Sequence, residues 1–261
     1  MARNAAQAVS ECATKLAIRH HHMTKSTDAD SSEVFRYGGA GSVLLIALLL
    51  YVGLHPLALG GTVSRIAGGL IVVVILVSGT MAASRSRLLR AIGIALAIVT
   101  LCLQVTWFVT DDRMVEAAMM ASFAIFCFFT AAVILSHVLS FGPLYADRVH
   151  AALSVYILLA FAWAGAYAMI EILSPGAFSF PAGVGAKDQG GPLLADMMHL
   201  SIAALTSTGF GDITPVAPFA RSLSQLEQLT GVFYIAVLIS RLIGLYPMEE
   251  RVSKEPDRPA G

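Results

Sequence analysis

Residues 206–212 read Thr-Ser-Thr-Gly-Phe-Gly-Asp, and this segment is the most informative part of the chain. Two glycines flank an aromatic residue and follow a run of hydroxyl side chains. Because glycine reaches backbone dihedrals that residues with a Cβ avoid, successive carbonyl oxygens can face one axis here instead of alternating sides. Such a row of oxygens can hold a dehydrated cation. The alternative is a tight turn in an ordinary extracellular loop, and the flanking sequence has to decide between the two.

The composition around this segment indicates a membrane protein. Of 261 residues, 57% are hydrophobic and only 13% are charged, whereas soluble domains carry about a quarter charged residues. The chain also contains several apolar runs of roughly 18 to 25 residues, and each is long enough to cross a bilayer as a helix. We therefore predict an all-α integral membrane protein with six transmembrane helices, at approximately Ser42–Leu59, Ile66–Ala83, Ala91–Thr110, Val115–Ser140, His150–Ile172 and Ser222–Tyr246.

One apolar segment, Leu193–Leu205, is too short to span the bilayer. Pro192 suits a helix start, and Asp196 falls in the first turn, where a carboxylate favours the positive end of a helix. A helix of this length crosses only part of the membrane, so the chain must return through irregular backbone. Such backbone is tolerated only where protein buries it or where it lines a water-filled space. The pattern predicts a re-entrant pore helix, 193–205, followed by a filter loop, 206–212.

The distribution of Lys and Arg predicts the orientation. With the amino terminus inside, the outer side receives only Arg65, Arg113, Lys187 and Arg221 of the 17 basic residues. By the positive-inside rule, both termini are cytoplasmic and the protein is a multi-pass protein of the cell (inner) membrane. A net charge of zero offers no basic surface for nucleic acid. The run His20–His22 could hold a metal, but we expect it to be inert.

These signals divide the chain into four parts. Residues 1–41 form a cytoplasmic amino-terminal segment, and 42–140 form four peripheral helices. Residues 141–246 form a pore domain with helix five, the pore helix, the filter and an inner helix at 222–246, and 247–261 form a short cytoplasmic tail. The fourth span contains no arginine, so it lacks the repeated charges of a voltage sensor. We interpret Arg85, Arg87 and Arg90 as a cytoplasmic anchor.

The order of span, half-length helix, Thr-Ser-Thr-Gly-Phe-Gly-Asp and span resembles the pore domain of potassium channels. The resemblance covers about Arg148–Tyr246, and the segment Ala204–Pro215 carries most of it. The four preceding spans are similar to the peripheral helices of six-span channels only in number and position. The resemblance implies a homotetramer in the lipid bilayer, with K⁺ as the permeant ion and no other cofactor.

Carried over by position, the resemblance implies roles for individual residues. The ion-binding filter consists of Thr206, Ser207, Thr208, Gly209, Phe210, Gly211 and Asp212. Within it, K⁺ is held at Ser207, Thr208, Gly209 and Phe210, and the last two residues form the outer mouth. Ser207 stands where the family usually has threonine, and Phe210 where it usually has tyrosine. His199 and Leu200 take the places of the aromatic pair that often braces the filter.

The inner helix contains six further candidate residues. The resemblance implies that Gly231 is a gating hinge, although a glycine in a membrane helix often only allows close packing. Below it, a stripe at helical spacing either lines the pore cavity or packs against protein: Val232, Ile235, Ile239 and Ile243. Glu227 is costly in an apolar helix unless it is paired or hydrated. We expect it to support the filter together with His199 or another pore-helix group; the alternative is a water-facing residue near the outer rim.

These inferences predict a tetrameric potassium-selective channel that passes ions passively. The alternatives are a weakly selective cation channel, a potassium transporter subunit and a non-conducting membrane sensor. A transporter of this kind has several filter repeats in one chain, and only one is present here. We expect no enzymatic activity, because the sequence contains no phosphate-binding loop, nucleophile elbow or zinc-ligand spacing.

Overall fold

The computed structural model describes residues 43–53, 69, 72–80, 87–139, 146–181 and 193–245, without the side chains of residues 137, 146–148 and 241–245. The predictions for the amino-terminal segment, 1–41, and for the tail, 247–261, lie outside these residues. So does the glycine-rich stretch that ends at Pro192.

The described residues form seven helical segments and two short strands. In chain order they are α1 (Val43–Gly53), α2 (described over 72–80), α3 (Arg87–Thr110), α4 (Arg113–Val138), α5 (Ala146–Leu173), β1 (Phe178–Ser179), α6 (Leu193–Leu205), β2 (Thr214–Pro215) and α7 (Pro218–Leu245). Four of them, α3, α4, α5 and α7, are long and apolar enough to cross a membrane. The described residues therefore confirm four of the six predicted spans. The first two predicted spans extend beyond the described ranges.

Helix α7 begins four residues earlier than the sequence predicts, at Pro218 instead of Ser222. The backbone N–H of Arg221 donates to the carbonyl of Ala217, which makes Ala217 the N-cap and Pro218 the first helical residue. Proline suits that position because its missing N–H would have no partner inside the helix and its φ is already helical. The apolar pattern missed this start because Arg221 separates the short apolar run 218–220 from the rest of the helix.

A turn of two residues joins α3 to α4. Asp111 has a φ of 51°, a left-handed conformation that aspartate tolerates. The Asp112 carboxylate then caps α4, accepting hydrogen bonds from the N–H groups of Met114 at 2.6 Å and Val115 at 3.3 Å. Arg113 donates from its guanidinium to the carbonyl of Ile172, in the last turn of α5. This corner fixes the start of α4 beside the end of α5.

Helices α4 and α5 pack closely through small residues. A Cβ at Gly165 of α5 would lie 3.2 Å from both the Ala124 Cβ and the carbonyl oxygen of Met120 on α4. Small residues let helices in membranes approach each other in this way. Helix α3 packs against α4, and most of its apolar side chains remain exposed. Its outer face is therefore free to contact lipid or another chain.

A short strand pair, which the sequence did not predict, forms between the segment after α5 and the segment before α7. Strands β1 and β2 are antiparallel, with Phe178 opposite Pro215 and Ser179 opposite Thr214. The Ala177 carbonyl accepts two further bonds, from the N–H groups of Val216 at 2.8 Å and Ala217 at 3.1 Å. The segment after α5 is thereby tied to the segment between residue 212 and α7.

Candidate ion-binding filter

Helix α6 has the bounds that the sequence predicts, Leu193–Leu205, and it lies against both α5 and α7. Most of its side chains are buried, with Asp196 in the first turn. The helix is only 13 residues long, and about 1.5 Å per residue makes it shorter than the hydrocarbon layer. The predicted filter segment, 206–212, follows directly.

Helix α6 ends in a Schellman motif with a serine at the position that usually holds glycine. The N–H of Thr208 donates to the carbonyl of Ala203 at 2.9 Å, and the N–H of Ser207 to that of Ala204 at 3.0 Å. Between them, Ser207 is left-handed, with a φ of 56°. The N–H of Gly209 also reaches Ala203, at 3.2 Å. Three successive N–H groups therefore point back at the end of α6.

This arrangement sets the direction of three carbonyl groups. No described peptide bond is cis, and in a trans peptide the C=O points opposite to the N–H of the same unit. Because the N–H groups of Ser207, Thr208 and Gly209 face α6, the carbonyls of Thr206, Ser207 and Thr208 point away from it. In an extended strand, by contrast, consecutive carbonyls would alternate between two sides.

The φ angles alternate in sign along the segment. Ser207, Gly209 and Gly211 have φ values of +56°, +59° and +75°, whereas Thr208 and Phe210 do not have positive φ. The glycines confirm the expectation of dihedrals that a Cβ disfavours. The left-handed Ser207 was not foreseen, and it explains the absence of threonine, because a β-branched residue is strained in this region. All seven residues of the segment are exposed in the single chain.

Glu227 of α7 connects three helices, because its carboxyl group contacts side chains of both α5 and α6. Its side chain is 0% exposed. The Tyr167 hydroxyl on α5 lies 2.5 Å from one carboxyl oxygen, and the Ser201 hydroxyl on α6 contacts the other. Ser201 also lies 2.8 Å from the carbonyl of Ala160 on α5. Glu227 is thus buried against a group of α6, as one of the two sequence interpretations expected, but its partner there is Ser201 and not His199.

One helical turn away, a second layer repeats the contact of the three helices. The carbonyl of Leu205 on α6 accepts a hydrogen bond from the Tyr156 hydroxyl on α5, at 3.0 Å. Gly231 of α7 lies next to the same carbonyl oxygen, and a Cβ added at position 231 would approach this oxygen to 2.0 Å. Leu205 and Gly231 follow Ser201 and Glu227 by four positions, and Tyr156 precedes Ala160 by four, so on each helix the two layers lie on the same face.

At the other end of the segment, His199 contacts both Asp212 and Phe210. Its Nε2 lies 2.8 Å from a carboxylate oxygen of Asp212. Its ring stacks on the ring of Phe210, with the two ring centroids 5.4 Å apart. Desolvation raises the pKa of Asp212, but hydrogen bonds from the backbone N–H of Ile213 and from His199 outweigh it, so the pKa lies below its ordinary value. His199 therefore links the half-length helix to the mouth of the predicted filter.

The structure describes the side chains of three of the four residues that were predicted to line the pore. Val232, Ile235 and Ile239 are all exposed in the single chain, whereas the side chain of Ile243 lies outside the described residues. The sequence analysis missed Tyr156, Tyr167 and Ser201. A hydroxyl group on a buried apolar helix needs a partner, and that rule could have marked the two tyrosines as contacts of α6 or α7.

Comparison with known proteins agrees with this geometry. Residues 155–246 match a family model described as ion channel. The matched range begins in α5 and includes α6, the segment 206–212 and α7. No curated protein and no solved structure matches the chain significantly. With its four apolar helices of spanning length, the chain is a multi-pass membrane protein, and its residues 155–246 are similar to the ion channel family.

Proposed function

We propose that this protein is a homotetrameric, potassium-selective channel that passes K⁺ passively through a filter formed by residues 206–212 of four chains. The observation that carries the proposal is the direction of the backbone at the end of α6. Because three consecutive N–H groups are bonded to the last turn of α6, three consecutive carbonyls point to the other side. Several such strands around an axis would replace the hydration shell of a cation.

The exposure of this region supports assembly. One chain supplies one filter strand, and a closed ring of oxygens requires several copies arranged symmetrically. In the single chain the whole filter segment is exposed, as are large apolar side chains along α7, such as Leu229, Val232 and Phe233. In a tetramer these surfaces would face the ion path, lipid or the neighbouring chains. In this proposal α6 is re-entrant, and both termini are cytoplasmic.

Reversal potentials of the reconstituted protein in mixed K⁺ and Na⁺ test conduction and selectivity together. A potassium-selective channel gives a reversal potential that follows the K⁺ gradient. A potential that follows both cations supports the weakly selective alternative, and the absence of any flux supports the non-conducting sensor. A measured mass of the solubilised protein that differs from four chains would contradict the tetramer.

Two glycines provide a matched pair of variants. Gly209, in the filter, and Gly176, in the turn after α5, both have positive φ, and a Cβ at either position would meet nothing within 4 Å. Alanine therefore introduces similar backbone strain at both sites. Gly209→Ala is expected to abolish or alter K⁺ current, whereas Gly176→Ala keeps it. Equal currents in the two variants would show that residues 206–212 do not form the filter.

A further inference from the structure

We propose that Glu227 is a neutral carboxylic acid that donates a hydrogen bond to Ser201 and accepts one from Tyr167, and that it positions α6 between α5 and α7. The protonation state does not depend on ion conduction, so it stands whether or not the pore is open. Only the consequence for the filter, which follows directly from α6, rests on the proposed function.

The number of available protons leads to this assignment. The Ser201 hydroxyl has two oxygen atoms as close neighbours, the carbonyl oxygen of Ala160 and a carboxyl oxygen of Glu227. A hydroxyl has one proton to donate, and its oxygen can accept through its lone pairs. If Ser201 donates to the carbonyl, the contact with Glu227 needs a proton on the carboxyl group. The second carboxyl oxygen is then the acceptor for Tyr167.

The lack of a compensating charge supports the same assignment. Glu227 is completely buried in a helix that is apolar enough to cross a membrane. Among the residues that the structure describes, its hydrogen-bond partners are the hydroxyls of Tyr167 and Ser201, and no cation pairs with it. An ionised carboxylate in such surroundings is strongly disfavoured unless it is paired, whereas a neutral acid with both oxygens hydrogen-bonded is not.

Glu171 provides the contrast within the same chain. Its two carboxyl oxygens accept hydrogen bonds from the backbone N–H groups of Gly176, at 2.8 Å, and Phe178, at 3.0 Å. Both partners can only donate, so this carboxyl group needs no proton. Glu171 is also only partly buried. The two glutamates thus differ in the property that the proposal assigns to Glu227.

Infrared spectroscopy of the full-length protein in lipid vesicles at neutral pH tests the protonation state. The wild-type protein should show the carbonyl stretching band of a protonated carboxylic acid. This band should disappear in Glu227→Gln and persist in Glu171→Gln. A wild-type spectrum without the band, or a band that Glu227→Gln leaves in place, would overturn the proposal.

A third variant tests the direction of the hydrogen bonds and requires no change at position 227. Tyr167→Phe removes the donor to the carbonyl oxygen of the acid, so the band should persist and move to higher frequency. A band that does not shift would show that Tyr167 does not donate to this group, which also overturns the assignment.

Thermal unfolding tests the positioning role. Glutamine presents one oxygen acceptor and an NH2 group that donates, so it can replace both hydrogen bonds of a neutral acid but not the two accepted bonds of a carboxylate. Glu227→Gln should therefore unfold close to the wild-type temperature, and Glu227→Leu, which makes neither hydrogen bond, well below it. If glutamine lowers the unfolding temperature as much as leucine does, Glu227 is not a neutral donor. None of these measurements depends on ion flux, so a failed conduction experiment leaves their result unaffected.

Discussion

The carbonyl oxygen of Leu205 and Gly231 are so close that a Cβ at position 231 would lie 2.0 Å from the oxygen. Both sides of this contact are backbone, so no flexible side chain can move aside. The closeness of α6 and α7 thus requires glycine at this position, whatever else Gly231 does. This is the close-packing interpretation of Gly231, and its role as a gating hinge stays a prediction.

We expect Gly231→Ala to destabilise the protein by about 1–3 kcal/mol, the usual cost of overpacking. The added methyl group forces α7 away from the last turn of α6. Lower thermal unfolding temperatures of the purified protein would report this effect. Gly93→Ala is the control, because a Cβ there lies 3.6 Å from its nearest neighbour, an ordinary contact. Equal destabilisation by the two variants would contradict the role of the contact with Leu205.

A second prediction concerns the left-handed backbone of Ser207. We expect Ser207→Thr to lower stability by about 1 kcal/mol, because β-branched residues are strained at positive φ. Ser207→Gly should be at least as stable as the wild type, since glycine adopts this conformation without a steric cost. Thermal unfolding compares the two, with Thr208→Ser as a control at a neighbouring residue whose φ is not positive. A threonine variant as stable as the glycine variant would contradict this conformation.

A third prediction concerns pH and the contact between Asp212 and His199. The pKa of Asp212 is lowered in the folded protein, so its stabilising effect is complete above the ordinary value of 3.8 and is lost as the pH falls through the lowered pKa. The unfolding temperatures of wild type and Asp212→Asn should differ by a constant amount above pH 3.8 and converge at lower pH.

His199→Leu serves as the comparison for this pH series. Because the hydrogen bond and the charge of His199 help to lower the pKa of Asp212, their removal should raise that pKa. In the His199→Leu background, the difference in unfolding temperature caused by Asp212→Asn should therefore begin to shrink at a higher pH than in the background that keeps His199. A difference between wild type and Asp212→Asn that persists unchanged in acid would contradict the lowered pKa.

A fourth prediction concerns the hydroxyl of Tyr156. Tyr156→Phe keeps the ring, whose centroid lies 5.4 Å from that of Tyr234. It removes only the hydrogen bond to the Leu205 carbonyl. We expect a loss of about 0.5–1.5 kcal/mol, the net value of one such bond. In thermal unfolding, Tyr156→Phe should lie between wild type and Tyr156→Leu, which also loses the ring contact. A phenylalanine variant indistinguishable from wild type would show that this hydrogen bond does not stabilise the fold.

The sequence by itself determined the main helical elements on both sides of the predicted filter. The bounds of α6 followed from a short apolar run between a glycine-rich stretch and the hydroxyl-rich segment, and four of the six predicted spans followed from the length of the apolar runs. The positive φ angles of Gly209 and Gly211 could be foreseen because their pattern is local. Length, polarity and local backbone freedom are properties of neighbouring residues, so they can be recognised without the fold.

Only the tertiary structure decided which side chains meet. The sequence left Glu227 either buried against α6 or facing water, and it could not choose Ser201 over His199 as its partner. It also did not reveal the contact of Leu205 with Gly231 or the strand pair. These contacts join residues far apart in the chain. A helix that is apolar all round has no polar face to show its orientation. The rotation and register of α5, α6 and α7, and hence the partners of Glu227 and Gly231, are set by packing among the helices.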